Sequence, residues 1–141
     1  MKNWNFGYKI SKQLAKDTYS KIGSVSCPAL GGEIIEFTSN GFEHLIRKGR
    51  KLRTKNEQRR RFDLVPYIEE IVKNPHAKIT FRQTEKKYVV NRQGENIQLT
   101  SRASFWTFYT QINTSKIKVV IRQIHPGQKQ FQSVMGSISK K

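Results

Sequence analysis

Residues 54–82 read TKNEQRRRFDLVPYIEEIVKNPHAKITFR, and within this stretch the spacing of apolar residues changes from helical to strand-like. Leu64, Val65, Ile68, Ile71 and Val72 fall on one stripe of a helix. Thr54 and Glu57 stand at the spacing of a capping box, in which each side chain satisfies a backbone amide that the first helical turn leaves free. Pro66 lacks a donor for the carbonyl four residues earlier, which predicts a kink or a restart there, and Asn74–Pro75 closes the helix.

Beyond Pro75 come short runs rich in β-formers: KITFRQ near Lys78, KYVVN near Tyr88, NIQLT near Ile97, SFWTFYTQI near Trp106, KIKVVIRQI near Val119 and QFQSVM near Phe131. Turn-forming residues separate them, such as Gly94 with Asn96, Asn113 with Ser115, and Pro126 with Gly127. The pattern predicts six strands in an antiparallel meander. On the N-terminal side, Ile10, Leu14, Thr18 and Ile22 suggest a short surface helix, and SCPALGG reads as a turn before a strand at 33–38. A helix capped by Ser39 or Asn40 then carries Phe42, Leu45 and Ile46 inward and ends at Gly49. Helices followed by strands predict an α+β domain, with N-terminal helices packed on one face of a curved antiparallel β-sheet. The final SISKK reads as a frayed tail.

The length of 141 residues fits one core. Lys and Arg number 27 against 10 Asp and Glu, a net charge of +17, and such an imbalance calls for an acidic partner. No run approaches the roughly 18 apolar residues of a membrane span, and MKNWNFGYKISKQ lacks the apolar core of an export signal. These features predict a cytoplasmic protein without a membrane partner. The lone Cys27 excludes an internal disulfide and a cysteine-rich zinc site, and reads as a small buried apolar residue.

The basic charge is densest in GFEHLIRKGRKLRTKNEQRRR, residues 41–61, which holds one histidine, two glutamates and no aspartate. Lysine and arginine bind polyanions through counterion release, and the imidazole is the group there that moves a proton near neutral pH. A metal-dependent nuclease needs converging carboxylates. Here Glu69 and Glu70 point to different helix faces, while Glu33 and Glu36 lie on another element. Neither a metal nor another cofactor is therefore expected. The remaining chemistry is attack by RNA's own 2′-hydroxyl, which needs proton transfer and cations but no ion. His44 is the first choice for proton transfer, with its pKa lowered by nearby cations; the alternative is a helix-surface histidine without chemical duty. His76 reads as solvent-facing, and His125 lies at a hairpin end.

Helical phase turns Arg61 toward the sheet and Arg60 toward the edge of that face, whereas Arg59 points away. Arg61 alternatively snorkels to Asp63 or Glu57. In the strands, Ser104, Trp106, Phe108 and Thr110 share one face, and Phe105, Thr107 and Tyr109 the other. One face packs under helices; the other offers Trp106 or Tyr109 to a base. Lys118 and Arg122 share a cationic face or a merely solvated one, and Ser133 falls on the side of Phe131 and Met135. Lys48 and Lys129 complete the candidate nucleic-acid contacts.

The segments CPALGGEI, GFEHLIRKG, NEQRRRFDLVPYIEEI, SFWTFY, KVVIRQ and QFQSVM, in this order, resemble small nucleases of phages and mobile elements in the barnase, EndoU, colicin and RelE superfamily. The resemblance covers residues 27–135. It implies helices on a curved antiparallel sheet and metal-independent cleavage of RNA, often by toxins acting on tRNA or mRNA. By position it carries His44, Arg60, Arg61 and Ser133 as catalytic residues. An acidic immunity protein or antitoxin is an implied partner. Residues 1–26 match nothing in the family and read as an extension ahead of a single domain at 27–141. The competing reading is a basic RNA- or DNA-binding module without activity, in which His44 is incidental.

Overall fold

The computed structural model describes residues 3–112 and 114–138. Helices α1 (Asn3–Ile22), α2 (Ser39–Ile46) and α3 (Lys55–Lys73) accompany strands β1 (Ser24–Cys27), β2 (Glu33–Glu36), β3 (Arg47–Lys48), β4 (Lys51–Leu52), β5 (Lys78–Arg92), β6 (Glu95–Ile112), β7 (Ser115–Ile124) and β8 (Lys129–Ile138). A 3-10 turn at Pro28–Leu30 links β1 to β2. The main sheet has the order β1-β2-β8-β7-β6-β5, and β3 pairs with β4 as a separate hairpin. The fold is α+β, as the sequence predicts.

The Thr54 half of the capping box is present, and the Glu57 carboxylate accepts from the Thr54 hydroxyl at 3.3 Å. Thr54 Oγ1 accepts from the Glu57 amide at 3.2 Å, and α3 then runs unbroken through Pro66. No restart occurs, because Phe62, Leu64 and Val65 before the proline and Ile68, Ile71 and Val72 after it are all buried. Burying an aliphatic side chain of this size contributes roughly 1.5–3 kcal/mol, so several of them outweigh one lost hydrogen bond of about 1 kcal/mol. Replacing Thr54 with alanine is expected to reduce stability by about 1 kcal/mol, seen as a lower urea midpoint with unchanged slope.

The predicted six-strand meander is corrected to four strands, β5 to β8. KITFRQ and KYVVN belong to one strand of 15 residues, and NIQLT and SFWTFYTQI to one of 18. The polar residues Thr84–Lys86 and Ser101–Arg102 interrupt the apolar pattern but not the ladder, since backbone pairing continues through Glu85↔Arg102. The sheet is not wholly antiparallel either, because β2 pairs parallel to β8 at Ile35↔Lys129 and Glu36↔Gln130. Ser26 and Cys27, read as the start of a turn, instead end strand β1, in which Val25 and Cys27 are buried. Of the predicted frayed tail SISKK, Ser137 and Ile138 belong instead to β8, and residues 139–141, like the turn residue at 113, lie outside the described residues.

The segment ahead of Cys27, predicted to be an extension, is built into the same core. Helix α1 packs on α3, Ala15 and Tyr19 are buried, and β1 forms one edge of the sheet. Tyr19 closes an aromatic group with Phe37, Phe42 and Phe131 at centroid distances of 5.4–5.8 Å. Among the described residues no helix is long and apolar enough to cross a membrane.

Candidate nucleic-acid interface and active site

Side chains alternate across a strand, so pairing register assigns each residue to a face. Phe108, Val119, Ile121, Phe131 and Val134 are buried beneath the helices. The other face carries Arg82, Phe105 and Arg122 in one row of partners and Lys78, Tyr109 and Lys118 in another. None of these six is buried. The Arg82 guanidinium lies 4.4 Å from the Phe105 ring centroid, and Lys118 Nζ lies 5.7 Å from that of Tyr109. Cations held beside aromatic rings suit a ligand with both phosphates and bases.

Helix α2, which carries His44, lies along the β8 edge of the sheet. The pairing of β2 to β8 stops at Gln130, and α2 takes over along the β8 edge. The approach is close because residue 41 is glycine: a Cβ there would stand 2.7 Å from the Phe131 carbonyl oxygen. The β3–β4 hairpin, turned by Gly49 at φ 64°, brings the chain back so that the Arg53 amide donates to the Ile46 carbonyl at 2.8 Å. Arg53 Nε then donates to the His44 carbonyl at 3.0 Å, and Arg61 Nη1 to the Val134 carbonyl at 2.6 Å. Two arginines thus occupy backbone acceptors around the edge of β8 and α2.

Burial holds the His44 pKa below that of a free imidazole, and the charges of Arg122 and Arg53 lower it further. Arg61 is also shifted down, first by burial and then by Arg53, with Glu57 acting against it. Arg53 therefore lies within electrostatic reach of both His44 and Arg61. Among the described residues none of Arg53, Arg61 and Arg122 forms a salt bridge. The guanidiniums of Arg53 and Arg122 beside a half-buried neutral imidazole suit an anion with a removable proton.

The predicted site residues divide into groups. His44 and Arg122 come within electrostatic reach of each other, and Arg61 is linked to them only through Arg53, its own guanidinium being held on the Val134 carbonyl further along β8. Arg60, more exposed, lines a small cleft with Arg61, Met135 and Gly136 at the same β8 edge. Lys118 lies two steps along the open face from Arg122, with Val120 between them. Ser133 is corrected to the face opposite Phe131. Val120 pairs with Ser133 but Ile121 pairs with Phe131, so Gln132 is an extra residue in β8, and this bulge reverses the alternation. Ser133, 9% exposed, joins Arg122 and Lys118 on the open face.

Trp106 and Lys129 are corrected in the other direction, since both belong to the helix side. Lys129 is buried, pairs with Glu33 and lies 4.7 Å from the Trp106 ring centroid. Tyr109 and Phe105, not Trp106, are the aromatics that β6 presents on the open face. Lys48 is exposed on the β3–β4 hairpin directly across from Lys51. Like charges facing each other are destabilising without an anion between them.

Arg53 and Phe105 were not singled out by sequence reasoning, and neither was Glu36. Arg53 is one more cation in a basic run until the hairpin folds it back. Glu36 pairs with Gln130, itself the partner of Arg122, and so brings a carboxylate to the margin of the open face. His76 is exposed, as expected, whereas His125 Nε2 shares a hydrogen bond of 2.7 Å with the Ser104 hydroxyl on the helix side. Among the described residues no three His, Cys, Asp or Glu side chains converge as a metal site. No family model, curated protein or solved structure matches the chain.

Proposed function

We propose that the protein is an endoribonuclease that cleaves RNA without a metal ion, by attack of a ribose 2′-hydroxyl on the adjacent phosphorus. The observation that carries this reading is the half-buried His44, kept neutral beside Arg53 and Arg122 at the margin of a cationic, aromatic sheet face, with Arg61 on the far side of Arg53. A neutral imidazole accepts the 2′-hydroxyl proton. The 2′-oxygen bonds to phosphorus as the bond to O5′ breaks, and the departing oxygen takes a proton from solvent. The products are a 2′,3′-cyclic phosphate and a 5′-hydroxyl. Arg122 and Arg61 face the charge that develops on the phosphoryl oxygens, and the Ser133 hydroxyl adds a neutral donor. Arg60 and Lys48 hold the flanking phosphates.

The motif resemblance supports the same chemistry and extends it to a toxin acting on tRNA or mRNA in a bacterial cytoplasm. An acidic immunity protein or antitoxin covering the open face fits the net charge of +17. Digestion of total RNA in EDTA, with cyclic-phosphate ends on the fragments, tests the reading. Intact RNA under those conditions would leave a basic RNA-binding module.

Phosphate contacts also predict a salt signature. On single-stranded RNA, the slope of log affinity against log salt should fall by about 0.7 for each cation lost among Lys118 and Arg122. An unchanged slope in Lys118→Ser and Arg122→Ser would remove the open face from the binding surface.

A further inference from the structure

Strands β5 and β6 outrun the sheet. Strand β7 reaches only Ala103 on β6, and the His125 amide beyond it donates to the Arg102 carbonyl at 2.9 Å, so residues 86–92 and 95–101 pair with each other alone. This arm spans about 25 Å at roughly 3.4 Å per residue. Gln93 and Gly94, at φ 54° and 83°, form its two-residue tip. None of the arm's residues is buried. A two-stranded ribbon with no core is marginal by itself, which makes an arm of this length a segment for contact.

Its two sides differ. Residues in register with the open face of the sheet are Lys86, Tyr88, Val90 and Arg92, opposite Ser101, Leu99, Ile97 and Glu95. Tyr88, 43% exposed, and the half-buried Val90, Ile97 and Leu99 form an apolar strip. Lys86 stands at the root of the strip and Arg92 at its tip, across from Glu95. The reverse side carries Lys87 and, at its root, the Glu85–Arg102 pair at 3.4 Å. The arm is net cationic, and its apolar strip continues the surface of Arg82 and Phe105.

We infer that the arm is the distal half of the RNA-binding surface and takes unpaired nucleotides several positions away from the bond that is cut. This rests on the RNA-directed reading above. A duplex would present only phosphates and sugars to the strip, whereas unpaired bases offer π-faces to Tyr88 and the aliphatic residues beside it. Lys86 and Arg92 then meet the phosphates on either side.

The test is fluorescence anisotropy with labelled single strands of about 4 and about 16 nucleotides and a duplex of the longer length, in wild type and in a His44→Ala background. Tyr88→Ser with Leu99→Ser, and separately Lys86→Ser with Arg92→Ser, should each weaken binding of the long single strand about tenfold or more. The preference for long over short strands should collapse, with duplex binding hardly moved. Equal losses on single strand and duplex, or no loss, would overturn the inference. So would a wild-type dimer in sedimentation that the Tyr88→Ser, Leu99→Ser variant dissociates, which would make the arm a contact between copies. Binding and cleavage separate the two readings: arm-dependent binding without RNA cleavage keeps the arm and removes the nuclease, and cleavage with arm-independent binding does the reverse.

Discussion

Replacing His44 with alanine is expected to slow RNA cleavage by roughly 10²–10⁴-fold, the range supplied by a positioned proton-transfer group, while RNA affinity is retained. Cations hold the phosphates, and His44 contributes little to that grip while it is neutral. The pH profile gives a second readout. The base must be deprotonated, so activity falls on the acid side as His44 takes a proton. Burial, Arg122 and Arg53 all lower its pKa from the ordinary 6.5, which places the acid limb of the wild-type profile below that pH. Arg122→Gln removes one of the two charges and should move the limb upward, toward 6.5, whatever it does to the plateau rate. An acid limb at or above 6.5 in wild type, or one that Arg122→Gln leaves in place, would remove His44 as the base.

The same shift has a stability consequence with a fixed sign. As pH falls below 6.5, the unfolded chain binds the proton before the folded chain does, so the His44 contribution declines toward acid. Urea midpoints of wild type should drop over this window more than those of His44→Ala.

The parts of this molecule legible in the sequence are those fixed by local spacing. The Thr54–Glu57 cap, the stripe of α3, the inward set Phe42, Leu45 and Ile46, and the two faces of SFWTFYT all follow from period and capping chemistry. What long-range pairing decides was not legible. Strands β5 and β6 read as four runs because their middle rungs are polar, although a backbone ladder needs no apolar side chains. The bulge at Gln132 moved Ser133 across the sheet, and one inserted residue leaves no mark on composition. Trp106 could not be assigned to a face until Ile121 appeared as its partner and Lys129 beside its ring. His44 was found because it is the single histidine of a basic run. Arg53, which supports it, became visible only through the turn at Gly49.

Gly41→Ala tests whether the helix that carries His44 is seated as described. Within a helix, alanine is favoured over glycine by up to about 1 kcal/mol, so the substitution would stabilise an unobstructed α2. Here the new Cβ would stand 2.5 Å from the Tyr19 hydroxyl, 2.7 Å from the Phe131 carbonyl oxygen and 2.8 Å from a Phe131 ring carbon. The tyrosine donates to the Thr38 carbonyl at 2.6 Å and is buried among Phe37, Phe42 and Phe131. The carbonyl is part of β8. Neither yields as a surface side chain does, so α2 must lift off the strand. Overpacking of this kind costs roughly 1–3 kcal/mol and exceeds the propensity gain. The expected result is a Tm lower by several degrees. Cleavage should fall further than stability does, because His44 lies on the same helix three residues on, and a displacement of about 1 Å can reduce a rate roughly 10²-fold. RNA affinity, carried by the open face, should change little. A Gly41→Ala protein that is more stable than wild type would mean that α2 does not rest on β8, and the placement of His44 beside Arg122 would fall with it.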